Sequence, residues 1–182
     1  MKLGYIGCYA QTELGHGSNV RGLQTTATFV PGPAGHDGDG EWVLDTPTLQ
    51  SAKWWSTGMF SATHACVYAQ MILRGKVRGV HVFFVQLRGE DLLPLPGVEI
   101  GECGPKLGDN DTPIGYLRLR GVRIPRRHLL EKRQRVSREG EYIVGAATAS
   151  KSKSKSKSKS ESESESESKG RGKSKAHYVT ML

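Results

Sequence analysis

Residues 64–87 read HACVYAQMILRGKVRGVHVFFVQL and contain the two most apolar runs of the chain, 64–73 and 79–87. A short basic turn, RGKVRG, joins the two runs, so they are predicted to pair as an antiparallel β-hairpin. The first run is also long enough for a helix. Its Val and Tyr residues and its apolar partner run favour a strand. The stretch therefore indicates a β-type protein.

Shorter strand-like segments flank this hairpin on both sides. They are 25–30, 41–45, 48–55, 97–104 and 114–124. They recur at intervals of roughly ten residues with glycine turns between them, which is typical of a β-sandwich or barrel. The glycine-rich and proline-rich segment 31–40 is predicted to be a flexible hairpin loop, and the charged segment 126–138 an exposed turn with a short helix.

The rest of the chain differs in composition. Its 182 residues suffice for one domain, but only 36 % are apolar, so part of the chain is predicted not to fold. Residues 151–168 alternate Lys-Ser and then Glu-Ser. Such a dipeptide repeat buries no apolar surface and is predicted to be disordered. We expect a β-domain at 1–145, a low-complexity insertion at 146–175 and the start of a truncated element at 176–182.

The net charge of +8 says little about what the folded part binds. Residues 151–175 hold eight Lys, one Arg and four Glu, which is most of that charge. No aromatic residue interleaves with these charges, so nucleic-acid binding by the tail, or its phosphorylation, is a minor alternative. No apolar run reaches the roughly 18 residues of a membrane span. The N-terminus is too short and polar for a signal peptide, and a soluble intracellular protein is expected.

Three cysteines, Cys8, Cys66 and Cys103, are scattered without the paired spacing of a disulfide framework or a zinc site. We interpret them as small buried apolar residues in a reducing compartment, and we predict no metal site.

Two polar stretches invite a ligand. In YAQTELGHGSN (9–19), Thr12 and Ser18 offer hydroxyls, and Gly15 and Gly17 permit close backbone approach. The stretch matches neither a phosphate-binding loop nor a dinucleotide fingerprint. A hydrogen-bonded turn without a ligand is an equal alternative at this point.

The second stretch is KWWSTG (53–58). Adjacent tryptophans on a strand point to opposite faces, so one of Trp54 and Trp55 is predicted to face inward and the other outward. An outward indole beside Ser56, Thr57 and Gly58 could form a stacking wall for a planar ring. The alternative is that both indoles pack at a sheet edge.

Several sequence blocks occur in the order found in acyl-CoA oxidases, the peroxisomal flavoenzymes of fatty-acid β-oxidation. The blocks are GCYAQTELGHGSNVRGLQTTATF (7–29), SAKWW (51–55), ATHACVYAQM (62–71), GVHVFFVQLR (79–88), PLPGVEIGECGPKLG (94–108), TPIGYLRL (112–119) and VRIPRRHLL (122–130). HYVTML at 177–182 resembles a further family segment. The chain thus resembles the family's middle domain, a mainly β, antiparallel barrel-like or sandwich-like module, from about residue 5 to 144.

The resemblance implies an activity and its partners. The family uses FAD to remove two hydrogens from a fatty acyl-CoA, giving trans-2-enoyl-CoA, and passes them to O2 to form H2O2. It also implies a homodimer and a peroxisomal location, although the C-terminal TML is not the Ser-Lys-Leu peroxisomal signal.

The resemblance also assigns site residues. It places Thr12 against the flavin, and it places the contact after the double tryptophan on Thr57 or Gly58. Trp54 is a further flavin candidate. Ser56 is another, because related dehydrogenases have a hydroxyl near flavin N5 at this point. Ser18 is assigned to the substrate.

No residue of this chain is assigned a catalytic role. The family base is a carboxylate in a C-terminal helical domain, so the resemblance implies a fragment that lacks it and does not turn over acyl-CoA alone. His16 and His64 are expected to make structural hydrogen bonds. The alternatives are a non-catalytic flavin-binding or acyl-CoA-binding module, and a dehydrogenase with another electron acceptor.

Overall fold

The computed structural model describes residues 4–32, 38–131 and 134–144, all within the compact unit Met1–Ala147. The strands in these ranges are β1 (Gly7–Ala10), β2 (Thr26–Val30), β3 (Glu41–Asp45), β4 (Lys53–Thr57), β5 (His64–Leu73), β6 (Lys76–Gln86), β7 (Val98–Glu102), β8 (Ile114–Leu119), β9 (Val122–Pro125), β10 (Gln134–Val136) and β11 (Tyr142–Val144). Short 3-10 helices lie at Val20–Gly22 and Arg126–His128. The predicted segments 146–175 and 176–182, and the centre of the 31–40 loop, lie outside the described residues.

Strand β5 is the centre of a six-stranded sheet. It forms the predicted antiparallel hairpin with β6, whose turn is tighter than expected because β6 already begins at Lys76. On its other edge β5 pairs with β1 and then with β2, and the sheet continues through β3 to β9. Strands β4, β8 and β7 form a second sheet, and β10 pairs with β11.

The mainly β prediction is confirmed, and the sheets curl into a half-barrel. Two pairings differ from the antiparallel pattern, since β1 and β2 both run parallel to β5. Parallel neighbours need long connections. Residues 11–63 connect β1 to β5, and residues 31–63, which include β3 and β4, connect β2 to β5.

The core lies between the sheets and is built by strand alternation. Along β5 the odd-numbered residues from 65 to 73 point inward, and Phe83 and Val85 of β6 join them. Trp42 of β3 is fully buried, with its ring 5.1 Å from both Phe29 and Phe83. Its indole N–H donates to the Arg126 carbonyl at 3.1 Å, so the buried ring has both apolar contacts and a hydrogen-bond partner.

The predicted strand 48–55 is wrong in its first half. Thr48 and Ser51 exchange hydrogen bonds between side chain and backbone over 2.7–3.2 Å, which closes residues 48–52 into a turn. Ser and Thr side chains compete with sheet hydrogen bonding in this way. Only Lys53–Thr57 remains as strand β4. In the charged segment 126–138 the expected short helix is a single 3-10 turn, followed by β10.

The three cysteines are free thiols and half-buried. Burial raises the pKa of Cys8 to about 11, with the neighbouring Cys66 adding to the shift, and burial also raises the pKa of Cys66. Within the described ranges no group of three or more His, Cys, Asp or Glu residues is arranged to hold a metal ion. None of the helices described there is long and apolar enough to cross a membrane.

Candidate functional site

The two polar stretches singled out in the sequence lie side by side. The Trp54 N–H donates to the Thr12 carbonyl at 2.9 Å. Two further bonds of 2.9 Å follow, from the Leu14 N–H to the Ala52 carbonyl and from the Gly15 N–H to Gln50. The 11–15 segment therefore runs as a short ladder against the approach to β4.

An ion pair lies beneath this ladder. Lys53 Nζ is 3.0 Å from Glu13 Oε1, and both side chains are fully buried. Nζ also donates to the Gln11 carbonyl at 3.2 Å. The Glu13 carboxylate accepts three more bonds of 2.6–2.8 Å, from the Gln24 N–H and from the N–H and hydroxyl of Thr25. The pair thus ties together the 11–15 segment, β4 and the entry to β2.

Burial and the ion pair act in opposite directions on the pKa values of Glu13 and Lys53. Burial alone would raise the pKa of Glu13, but Lys53 and the hydrogen bonds from Thr25 and Gln24 outweigh it and hold that pKa below its ordinary 4.5. Burial lowers the pKa of Lys53 to about 8, and Glu13 offsets part of that effect. The carboxylate of Glu13 is fully engaged, so it is not available as a proton acceptor for a ligand.

Strand β4 carries a bulge at the double tryptophan. Its register against β8 shifts between Lys53 and Ser56, and Trp55 adopts φ 66°. A positive φ is strained for an aromatic residue. Because of the bulge, Lys53 and Ser56 both point inward, and Ser56 is only 4 % exposed.

The prediction that one of the two tryptophans faces inward is therefore wrong, since neither is buried in the core, whereas Trp55 faces outward. The ring of Trp54 is half-buried and stacks on Tyr116, with centroids 5.8 Å apart and planes 20° apart. Trp55 is 53 % exposed. The strain at the bulge thus displays an indole on the surface, next to the exposed Thr57.

Gly58 ends β4 in a conformation that favours glycine, with φ 75°. A Cβ added there would meet nothing within 4 Å, so space above the residue is open. Its N–H donates to the Pro113 carbonyl at 2.8 Å. The Trp55–Gly58 segment is consequently anchored through the Gly58 N–H, and the side of Gly58 that a Cβ would occupy is open.

The glycines and histidine of the 9–19 loop have different roles. A Cβ on Gly15 would lie 3.0 Å from the Gln50 Cβ, so Gly15 serves the close approach of two backbones. Gly17 lies next to the Thr12 side chain. A Cβ added at Gly17 would be 3.6 Å from Thr12 Cγ2. His16 exchanges backbone hydrogen bonds with Glu13 at 3.1 and 3.2 Å, while its buried Nδ1 has no hydrogen-bond partner among the described residues.

Ser18 lies at the far end of the loop and is exposed. Its carbonyl accepts from the Val20 N–H at 3.0 Å, at the start of the first 3-10 helix. The structure brings Thr12 and Trp54 into direct contact, and it places Ser18 further along the same loop. Lys53 and Glu13 were missed as site residues, and only the adjacency of Glu13 to Thr12 and of Lys53 to the tryptophans could have suggested them.

His64 lies in β5, opposite Gly7 of β1, in a stack of rings. Its imidazole is parallel to Phe84, with centroids 4.9 Å apart, and Tyr5 meets it edge-on at 4.6 Å. Its Nδ1 is 3.0 Å from the Thr63 hydroxyl. Burial lowers the pKa of His64, and the nearby His128 lowers it further.

This environment predicts an acid-sensitive fold. Because the pKa of His64 is below 6.5 in the folded state, the unfolded chain binds more protons on acidification, so stability is lost as the pH falls below 6.5. The unfolding midpoint should decrease between about pH 7.5 and about pH 5.5. His64→Phe keeps a ring against Phe84 but cannot titrate, so it should flatten that dependence in thermal unfolding. An unchanged slope in this variant would contradict the prediction.

Comparison with known proteins gives this geometry a family. The middle-domain family of acyl-CoA dehydrogenases matches residues 8–122, which include every residue of the site. The chain belongs to this acyl-CoA dehydrogenase middle-domain family. A peroxisomal acyl-coenzyme A oxidase 1 from Arabidopsis thaliana is 50 % identical over 147 residues, covering 78 % of this chain and 21 % of the relative.

Solved structures agree with the family. The chain is similar to Arabidopsis thaliana acyl-CoA oxidase 1, with a TM-score of 0.72, 49 % identity, and coverage of 78 % of this chain and 21 % of that one. It is also similar to acyl-CoA oxidase-2 of Caenorhabditis elegans, solved with FAD, ascaroside-CoA and ATP, with a TM-score of 0.71, 43 % identity, and coverage of 78 % and 21 %. The chain spans about a fifth of the length of the curated relatives it matches. The resemblance to acyl-CoA oxidases is confirmed.

Proposed function

We propose that this chain provides one wall of the FAD site in a peroxisomal acyl-CoA oxidase. The observation that carries the proposal is the exposed pair Trp55 and Thr57 beside the strained bulge, fixed next to Thr12 by the Trp54 hydrogen bond. Relatives that share the fold are acyl-CoA oxidases, and one of them was solved with FAD.

The residues present fit a flavin ring. A flavin needs a flat apolar surface and a few hydrogen-bond donors at its polar edge. Trp55 offers the surface, Thr12 and Thr57 offer hydroxyls, and Gly58 leaves open space for close approach. Trp54 contributes by holding the segment against Tyr116.

Ser56 fits less well than the sequence suggested. Its side chain is buried on the inner face of β4, so its hydroxyl is not presented beside the Trp55 indole. The case for a dehydrogenase rested on that hydroxyl. The inward orientation of Ser56 therefore favours the oxidase.

The proposed reaction is the α,β-dehydrogenation of a fatty acyl-CoA to trans-2-enoyl-CoA, with O2 reduced to H2O2. FAD supplies the acceptance of hydride and its delivery to dioxygen. This chain's residues bind and orient: Thr12, Thr57 and Gly58 face the flavin, and Ser18 faces the acyl-CoA. We further propose a homodimer as the assembled form and a peroxisomal location.

A flavin-binding or acyl-CoA-binding module without turnover is the second candidate. It is favoured by the state of Glu13, whose carboxylate is occupied by Lys53 and three other donors. Peroxide release from palmitoyl-CoA by the purified chain with FAD tests whether this chain turns over acyl-CoA by itself. We expect none from the chain by itself, and release of peroxide would contradict this.

Thr12 is the residue whose substitution tests the flavin site. Thr12→Val removes the hydroxyl and should weaken FAD binding about 2- to 10-fold, the value of one hydrogen bond. Thr12→Pro removes the N–H as well and should weaken binding further. FAD titration followed by amide NMR shifts measures both, because it detects weak binding and locates it.

In the wild-type chain, the shifts should concentrate at Gly17, Trp55 and Gly58 and spare β10 and β11. Thr28→Val, the same change in β2, is the matched control and should leave FAD binding unchanged. Equal affinity in the Thr12 variants and the control would remove Thr12 from the site.

A further inference from the structure

We propose that the Glu13–Lys53 ion pair is a positioning device for the flavin-facing surface, acting through Thr12 and Trp54. The inference rests on the proposed function. It assigns to two buried charges a role in ligand binding, although neither side chain reaches the surface.

The first argument is that Lys53 holds Thr12 from both sides. Its ammonium donates to the carbonyl of Gln11, which precedes Thr12, and to the carboxylate of Glu13, which follows it. The Thr12 carbonyl is in turn held by the Trp54 N–H at 2.9 Å. Strand β4 thus holds three consecutive residues, because it binds the carbonyls of Gln11 and Thr12 and the carboxylate of Glu13.

The second argument concerns the bulge. Lys53 is its first residue, and the register of β4 is recovered only at Ser56. Anchoring Lys53 inward sets where the strand departs from regular pairing, and therefore where Trp55 emerges. The strained φ of Trp55 persists only if the surrounding contacts impose it, and the Lys53 anchor lies two residues before it on the same strand.

The third argument is that stability alone does not require charges here. Apolar side chains of similar volume often replace a buried ion pair without loss of stability. They cannot reproduce the directional bonds to Gln11, Gln24 and Thr25. Position and stability are therefore separable by mutation.

The test uses the full 182-residue chain and the double variant Glu13→Leu/Lys53→Met. We expect this variant to fold, to bind FAD about tenfold or more weakly than the wild type, and to exchange its Trp54 amide hydrogen about tenfold or more faster. Amides of the β5–β6 hairpin should exchange at the wild-type rate. Glu13→Gln, which keeps an oxygen acceptor and loses the charge, should shift both readouts in the same direction by less.

Val136→Ala is the matched control, because Val136 is buried in β10, outside the sheet that carries β4. It should lower the unfolding midpoint and leave FAD affinity and Trp54 exchange unchanged. Wild-type affinity together with wild-type Trp54 exchange in a folded Glu13 variant would overturn the inference, as would equal loss of affinity in Val136→Ala. If the wild-type chain binds no FAD, the proposed function fails, while Trp54 exchange still decides whether the pair positions the segment.

Discussion

Lys53→Met should destabilise the fold by about 3–5 kcal/mol, because it leaves the buried carboxylate of Glu13 without its counter-charge. The three donors from Gln24 and Thr25 remain, but they solvate the charge only in part. Protonation of Glu13 removes the unpaired charge. The difference in the free energy of unfolding between Lys53→Met and the wild type should therefore be smaller at acid pH. Urea denaturation measures the free energy of unfolding directly.

The companion double variant, Glu13→Leu/Lys53→Met, should recover most of that loss, since an apolar pair leaves no charge unpaired. The single variants Glu13→Leu and Lys53→Met, the double variant and the wild type form a cycle whose coupling energy reports the ion pair. Lys76→Met, at an exposed lysine of β6, is the control and should change stability by no more than about 0.5 kcal/mol. A Lys53→Met variant as stable as this control would contradict the buried pair.

Trp42→Ala should cost about 3–5 kcal/mol, the range for deleting a buried aromatic ring. Trp42 is fully buried between Phe29 and Phe83, so its removal leaves a cavity at the centre of the core. The loss also strands the Arg126 carbonyl, which accepts the indole N–H. The free energy of unfolding in urea is again the measurement.

Trp55→Ala is the matched control for Trp42→Ala, because it removes the same side chain from an exposed position. It should change stability by no more than about 1 kcal/mol. The same variant should weaken FAD binding if Trp55 forms the stacking wall. A large stability loss in Trp55→Ala, or a small one in Trp42→Ala, would contradict the assignment of the two environments.

Much of the fold could be predicted because strand alternation records burial directly. The ranges of β3 and β5 match the predicted segments residue for residue, and inward and outward side chains alternate along β3 and, from Ala65 onward, along β5. Segment 48–55 failed because Ser and Thr hydroxyls can pair with nearby backbone instead of a neighbouring strand. The parallel pairings of β1 and β2 leave no local pattern in either strand.

The candidate site was only partly predictable for a related reason. Thr12 and the 53–58 segment were singled out because their residue types suit a flat, polar ligand. The bulge at Trp55 was not predicted, because a positive φ is unfavourable for tryptophan and is imposed here by neighbouring residues. Lys53 was missed because lysine is rarely fully buried, and its partner lies 40 residues away.

The placement of β1 and β2 along one edge of β5 also has a kinetic consequence. The β5–β6 hairpin closes over a two-residue turn, whereas β1 reaches β5 across 57 residues and β3 reaches β9 across 82. Non-local pairing must overcome loop-closure entropy before it is rewarded. The hairpin is therefore expected to nucleate folding, with β1 added late. During synthesis β1 emerges before β5 and cannot pair with it until β5 has left the ribosome.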